Sequence, residues 1–202
     1  MLYFWPNRPF LLQPTDPTVA RLSADPNWSA ELKFNGDRLC LQKHSDPTPW
    51  KQFDGFVFAN RHKDYLKRFE PSKTLLDELK SLNLPDGTQL DGELLHFHTK
   101  AIKFKIVFYD IYVLGGKQIT EPLYARRNIL TDIFAGRKFN HLSISEQHAS
   151  DFSNLFNEVI KREEIEGLVM KDARGKITFN TTASNDVTWQ FKCRKSSKNY
   201  AF

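Results

Sequence analysis

The residue pattern predicts an α+β fold, with largely antiparallel sheets flanked by helices. Three observations carry this. Residues 88–97 and 102–114 read as two long strands, the second rich in Ile, Val, Phe and Tyr. Pro71 to Leu82 reads as a helix, because Leu75, Leu76, Leu79 and Leu82 fall on one stripe. Strand-patterned segments come in runs with helices inserted among them, the mark of α+β architecture rather than of alternating βαβ units.

Taken in order, residues 1–28 carry five prolines and read as an extended arm with turns. From Ala30 the chain becomes strand-like, and residues 38–43 and 53–60 form short strands around a Pro-containing loop. Pro71 suits the first helical position, and Pro85-Asp86-Gly87 supplies the turn that follows the helix. Gly115-Gly116 closes the long strand pair. Thr120 is placed to cap a helix starting at Glu121-Pro122. A further helix starts at about Ser150, with Phe152, Leu155, Phe156, Val159 and Ile160 on one face. Residues 167–171 and 187–194 are the last strands. With no repeat and no linker-like stretch, the expectation is a single domain over 1–202, of which 1–28 is the arm.

Composition narrows the function. Hydrophobic residues at 40% and charged residues at 26% suit a folded domain rather than a disordered chain. The net charge of +5 favours an anionic partner such as nucleic acid. The two cysteines, Cys40 and Cys193, have no zinc-site spacing and suit a reducing compartment. The N-terminus lacks the charged start of a signal peptide, and no apolar run is long enough to span a bilayer. A monomer in the cytoplasm or nucleus, with no membrane partner, is the expectation.

The most informative stretch runs Glu31-Leu32-Lys33-Phe34-Asn35-Gly36-Asp37-Arg38. Read as a strand, it puts Glu31, Lys33 and Asn35 on one face and Leu32 and Phe34 on the other. Asn35-Gly36 then turns the chain tightly. A lysine at a strand end, beside a carboxylate and a cation such as Arg38, can be a nucleophile once it is deprotonated. The alternative is a solvated hairpin whose Lys33 and Glu31 face water. His96 and His98 share a strand face and could hold a metal, although no third ligand is apparent.

This stretch resembles the nucleotidyl-lysine motif KxDGxR of DNA ligases, RNA ligases and capping enzymes. Further segments follow in that superfamily's order. Asn60–Tyr65 with Arg68-Phe69 looks like the segment after the first motif. Asp91-Gly92-Glu93-Leu94 resembles its DGEL motif, and Val107–Ile111 its strand with a base-stacking aromatic. Glu166–Lys171 (Glu-Gly-Leu-Val-Met-Lys) resembles EGxxxK, and Trp189–Lys195 the final lysine motif. The resemblance spans residues 30–195. It implies the nucleotidyltransferase domain of an ATP-dependent ligase, with an ATP-grasp-like fold. No OB-fold domain follows in this chain, where such ligases usually carry one.

The resemblance also implies roles. Lys33 would attack the α-phosphate of ATP and carry AMP covalently. Glu31 would accept from the adenine 6-amino group, which favours ATP over GTP, or else merely balance the charge of Lys33. Leu32, between them, belongs with the nucleotide-binding set. Arg38 and Arg61 would hold ribose and phosphates, Glu93 the ribose hydroxyls, and Tyr109 would stack on adenine. Glu166 would position Mg²⁺. Lys192 would contact the α-phosphate with Arg194 as its partner, and Lys195 would join only if the strand bulges. Asn35 departs from the usual Asp, keeping hydrogen-bonding shape without charge. The overall function implied is joining of 5′-phosphate and 3′-hydroxyl ends. Residues 61–69 and 121–127 look more like DNA ligases and residues 191–200 more like RNA ligases; DNA is the first expectation, RNA the second. An mRNA guanylyltransferase or a non-catalytic nucleic-acid-binding module are the remaining alternatives.

Overall fold

In a computed structural model, residues 3–46, 50–100 and 102–195 are described. The chain builds two sheets, so the expected α+β class stands. One sheet joins β1 (Arg8–Leu11), β10 (Asp186–Arg194), β9 (Ile165–Asp172) and β2 (Trp28–Phe34), in that order. Its pairings are antiparallel except β1 with β10. The other orders β4 (Phe56–Ala59), β3 (Asp37–Lys43), β5 (Thr88–Leu95), β6 (Lys105–Leu114) and β7 (Lys117–Gln118); β8 (Leu142–Ile144) lies parallel to β6. We call these the ends sheet, because it unites both ends of the chain, and the middle sheet.

Each sheet buries one face under its own helices. Helices α2 (Lys73–Ser81) and α3 (Leu123–Phe134) cover the middle sheet, where Leu75, Leu79 and Leu130 meet Leu39, Leu41, Leu90, Phe108 and Ile111. Helices α1 (Pro17–Ala24) and α4 (Phe152–Val159) cover the ends sheet, with Val19, Leu22, Phe152 and Phe156 against Ala30, Leu168 and Met170. The opposite faces carry Glu31 and Lys33 on one sheet and Arg38, Asp91 and Glu93 on the other, and leave a cleft between the sheets.

Several expectations need correction. Residues 1–28 are not only an extended arm. Pro17 occupies the start of α1, and the Asp16 carboxylate caps it by accepting from Thr18 N at 2.8 Å. Proline there fits a first turn whose N–H groups have no partner anyway. In α2 the cap is Ser72, which accepts from Leu75 N, so Pro71 lies outside the helix. Thr120 does not cap α3: Pro122 is the cap position and offers no side-chain bond. Gly115-Gly116 turns β6 into the short β7, not back to β5.

The N-terminal segment straps the sheets together. Towards the middle sheet, Phe4 exchanges hydrogen bonds with the Gln89 side chain at 3.0 and 2.6 Å, and Asn7 N donates to the Tyr112 hydroxyl at 2.8 Å. Towards the ends sheet, Trp5 N and Arg8 N donate to the carbonyls of Asn180 and Asn185. The Asn7 side chain pairs with the backbone of Thr178 in both directions. The side chains of Tyr3 and Phe4 are buried, so the strap has an apolar anchor as well.

A second tie is ionic. Arg126 of α3 is fully buried and grips Asp110 of β6 through two bonds of 2.7 and 2.8 Å. Its remaining amine donates to the carbonyls of Glu121 and Gly175, so all three nitrogens are bonded in a charge that would be costly to bury alone.

Candidate active site

Asn35-Gly36 does not close a hairpin. β2 and β3 lie in different sheets, so this turn carries the chain from one wall of the cleft to the other. That disposes of the solvated-hairpin alternative. Glycine is needed at position 36 for space: a Cβ there would come within 2.6 Å of the Leu94 carbonyl and 2.8 Å of the Glu93 side chain. Lys33, two residues short of the turn, is thereby placed in the cleft. This cleft has a volume of about 690 Å³, and all ten residues expected to form the site border it.

Beta-bulges aim three of the side chains. In β9, Gly167 pairs with Lys33 and Ile165 with Phe34, leaving Glu166 as the extra residue. Its carboxylate meets the Lys33 ammonium in a direct ion pair. In β6, Asp110 pairs with Asp91 and Phe108 with Gly92, leaving Tyr109 extra. Phe108 and Ile111 both reach the core, and Tyr109 turns to the cleft. A second bulge in β6 releases Tyr112 to receive the N-terminal strap. Such re-aiming is a common use of bulges beside binding sites.

The remaining residues fill the two walls. Arg38 forms a two-pronged ion pair with buried Asp91, and its guanidinium lies 5.7 Å from the Tyr109 ring centre. Glu93, two residues along β5, has its carboxyl pushed up to about 7 by burial, against the pull of Lys33 and Arg38. Burial also raises Asp91, with Arg38 opposing. Lys192 is lowered by burial and then by repulsion from Lys33, Arg194 and Arg8. Arg194 borders the cleft from the same strand. Arg61 is at the exposed rim, its Nε donating to His62 at 3.1 Å. Leu32 borders the cleft while packing on the apolar cluster behind it.

Some expected arrangements differ. Glu31 is not the partner of Lys33. Its carboxylate is almost fully buried and accepts from Lys171 Nζ at 2.8 Å, while Lys33 pairs with Glu166. The charge-balancing partner of Glu31 is therefore Lys171, a residue of the EGxxxK segment to which no separate role had been attached. Its ammonium also lies 5.3 Å from the Tyr109 ring centre. Lys195 is turned back: its Nζ donates to the carbonyls of Ile160 and Arg162. Residues 96–98 lie beyond the end of β5, so His96 and His98 share no strand face. His96 packs against Phe69 and Phe104, and His98 faces Asp37 at 3.3 Å. Among the described residues, no cluster of three or more His, Cys, Asp or Glu forms a metal cage. Within residues 191–200, residues 196–200 lie outside the described residues.

Comparison with known proteins bears on the fold. Residues 95–189 match the ATP dependent DNA ligase domain family. The SPbeta prophage-derived DNA ligase-like protein LigB of Bacillus subtilis (strain 168) is 27% identical over 181 residues, covering 80% of this chain and 60% of that protein. The chain thus spans about 60% of the length of this curated relative. Mycobacterial DNA ligase D, solved with ATP and MES, superposes with a TM-score of 0.60 at 18% identity, over 92% of this chain and 60% of that one. A Lig E DNA ligase gives 0.55 at 12% identity, over 94% and 70%. Identities this low speak for the fold alone. Motif order, two-sheet fold and family match together make the chain similar to the nucleotidyltransferase domain of ATP-dependent DNA ligases.

Proposed function

We propose that this domain transfers AMP from ATP to Lys33 and then to the 5′-phosphate at a DNA end, for joining to a 3′-hydroxyl. The carrying observation is the placement of Lys33. It lies near the end of a strand inside the cleft, paired with Glu166 and close enough to Lys192 to repel it, while Arg194, Arg38, Tyr109 and Glu31 line the same cleft. The first supplies a nucleophile, the cations face a phosphate, and the aromatic and carboxylate suit a nucleobase. Phosphoryl transfer requires little beyond such positioning and charge stabilisation.

In the first step Lys33 Nζ bonds to the α-phosphorus of ATP while the bond to the pyrophosphate oxygen breaks. The ammonium must first lose a proton, and Glu166, its ion-pair partner, is placed to take it. In the second step an oxygen of the 5′-phosphate takes the AMP phosphorus and frees Lys33. The 3′-hydroxyl then attacks that 5′-phosphate, expelling AMP. Mg²⁺ keeps waters and takes one or two carboxylates along with substrate phosphates, and Glu166 fits as such a carboxylate. Once bound, it would neutralise phosphate charge.

Incubation with ATP and Mg²⁺ is expected to add one AMP to the intact mass of the chain, and Lys33→Ala to abolish the addition. Labelled GTP in place of ATP separates a guanylyltransferase from a ligase. An adduct that persists in Lys33→Ala would overturn the assignment.

A further inference from the structure

We infer that Arg127 is a specificity-positioning residue, which fixes the Glu31 carboxylate against the nucleobase and so sets the preference for adenine over guanine. This rests on the proposed adenylyl transfer at Lys33 and concerns the other end of the cleft.

The sheets are joined by a second crossing. After β8, Ser145 N donates to the Phe108 carbonyl at 2.9 Å, which holds Ser145 beside Tyr109. Three residues later, His148 and Ala30 exchange backbone hydrogen bonds of 2.8 and 2.9 Å. Residues 145–148 thus run from the middle sheet to β2. Gln147 Nε2 comes within 3.5 Å of Glu31 Oε1. Arg127 reaches the same place from α3, one residue after the structural Arg126. One of its amines donates to the Ser145 carbonyl; the other, Nη1, stops 3.8 Å from Glu31 Oε1.

The two oxygens of Glu31 are therefore held unequally. Oε2 is fixed by Lys171 at 2.8 Å, whereas Oε1 has only the long contact to Gln147 and the ion pair to Arg127. Arg127 Nη1 and Ser145 Oγ are both buried without a hydrogen-bond partner. Unmade bonds of this kind are costly, and in a folded protein they call for a reason. A small rotation of the Glu31 carboxylate would bring Oε1 into hydrogen-bond range of Nη1. Ionised, the carboxylate only accepts: it can pair with the 6-amino group of adenine, and it faces the 6-carbonyl of guanine as one acceptor against another. Discrimination requires that the acceptor stay aimed. A planar guanidinium anchored on the Ser145 carbonyl can aim it, while the Lys171 ammonium holds the other oxygen as a point charge.

The test is lysyl-nucleotide formation on the full chain with ATP and with GTP, for wild type, Arg127→Met and Arg127→Lys, with thermal midpoints measured alongside. In Arg127→Met the ATP-to-GTP ratio of kcat/KM is expected to fall about tenfold, the size of one hydrogen bond, chiefly through a higher KM for ATP. Arg127→Lys, which keeps the charge but loses the fork, is expected to recover part of the ratio. It also provides the reading if the Met variant fails to fold. A ratio unchanged from wild type in either folded variant overturns the inference alone. A wild-type chain that forms no adduct with ATP overturns the reading of Lys33, and this inference with it.

Discussion

Glu93 shows what burial does to a single carboxyl. Its pKa is pushed up to about 7 by desolvation, with Lys33 and Arg38 only partly offsetting it. A folded-state value above the unfolded one means that the folded chain holds a proton that the unfolded chain has lost. The resulting stability is complete below the ordinary carboxylate range and disappears as pH rises to about 7, at about 1.4 kcal/mol per unit across that window. Glu93→Gln has no such titration. Relative to wild type, it is therefore expected to be more stable at pH 8 than at pH 5 in denaturant unfolding; a pH-independent difference would mean that Glu93 titrates normally. The sequence exposed this residue through its DGEL setting but not its acidity, which depends on the opposite wall of the cleft. Glu31 is a like case. Period two placed it beside Lys33, yet its true partner, Lys171, stands 140 positions away on a neighbouring strand.

Among the elements, long patterned segments were legible and short ones were not. β5, β6, α2, α4 and β9 fall close to their expected places because each carries enough apolar periodicity to reveal its buried face. β1, β7 and β8 are two to four residues long and have no such period. α1 was hidden by the prolines around it. Bulges are also invisible to a strict alternation, although two of them aim Tyr109 and Glu166 into the cleft. Gly167, beside the bulge in β9, marks a crowded crossing. A Cβ at this position would lie 2.0 Å from the Cys193 carbonyl and 2.8 Å from the Arg194 Cα, and its φ of 157° is one that other residues rarely adopt. Backbone cannot swing aside as a side-chain tip can. Gly167→Ala should therefore push β10 away from β9 and displace Lys192 and Arg194 from Lys33. We expect a loss of about 3 kcal/mol or more in denaturant unfolding, as severe overpacking gives, and slower lysyl-AMP formation. An unaltered midpoint would mean that the crossing is looser than this spacing implies.

At the scale of the molecule, the two sheets differ in how far apart in sequence their strands lie. The middle sheet draws on residues 37–144 alone, whereas the ends sheet combines residues 8–34 with 165–194. Closing the longer loops costs more chain entropy, and distant pairings form late. Pulse-labelled hydrogen exchange during refolding should therefore protect amides of β5 and β6 before those of β9 and β10; simultaneous protection would show a single nucleus spanning both sheets. The N-terminal strap adds to this asymmetry, since Trp5, Asn7 and Arg8 bind residues 178–185. During synthesis, residues 5–8 must wait for residues 178–185 before they have a place to dock. Until then Lys33 has neither Glu166 nor Lys192 beside it. On the proposed role of Lys33, a nascent or broken chain with a finished middle sheet would display the lysine without these neighbours, so that the onset of adenylylation would report that β10 has been made.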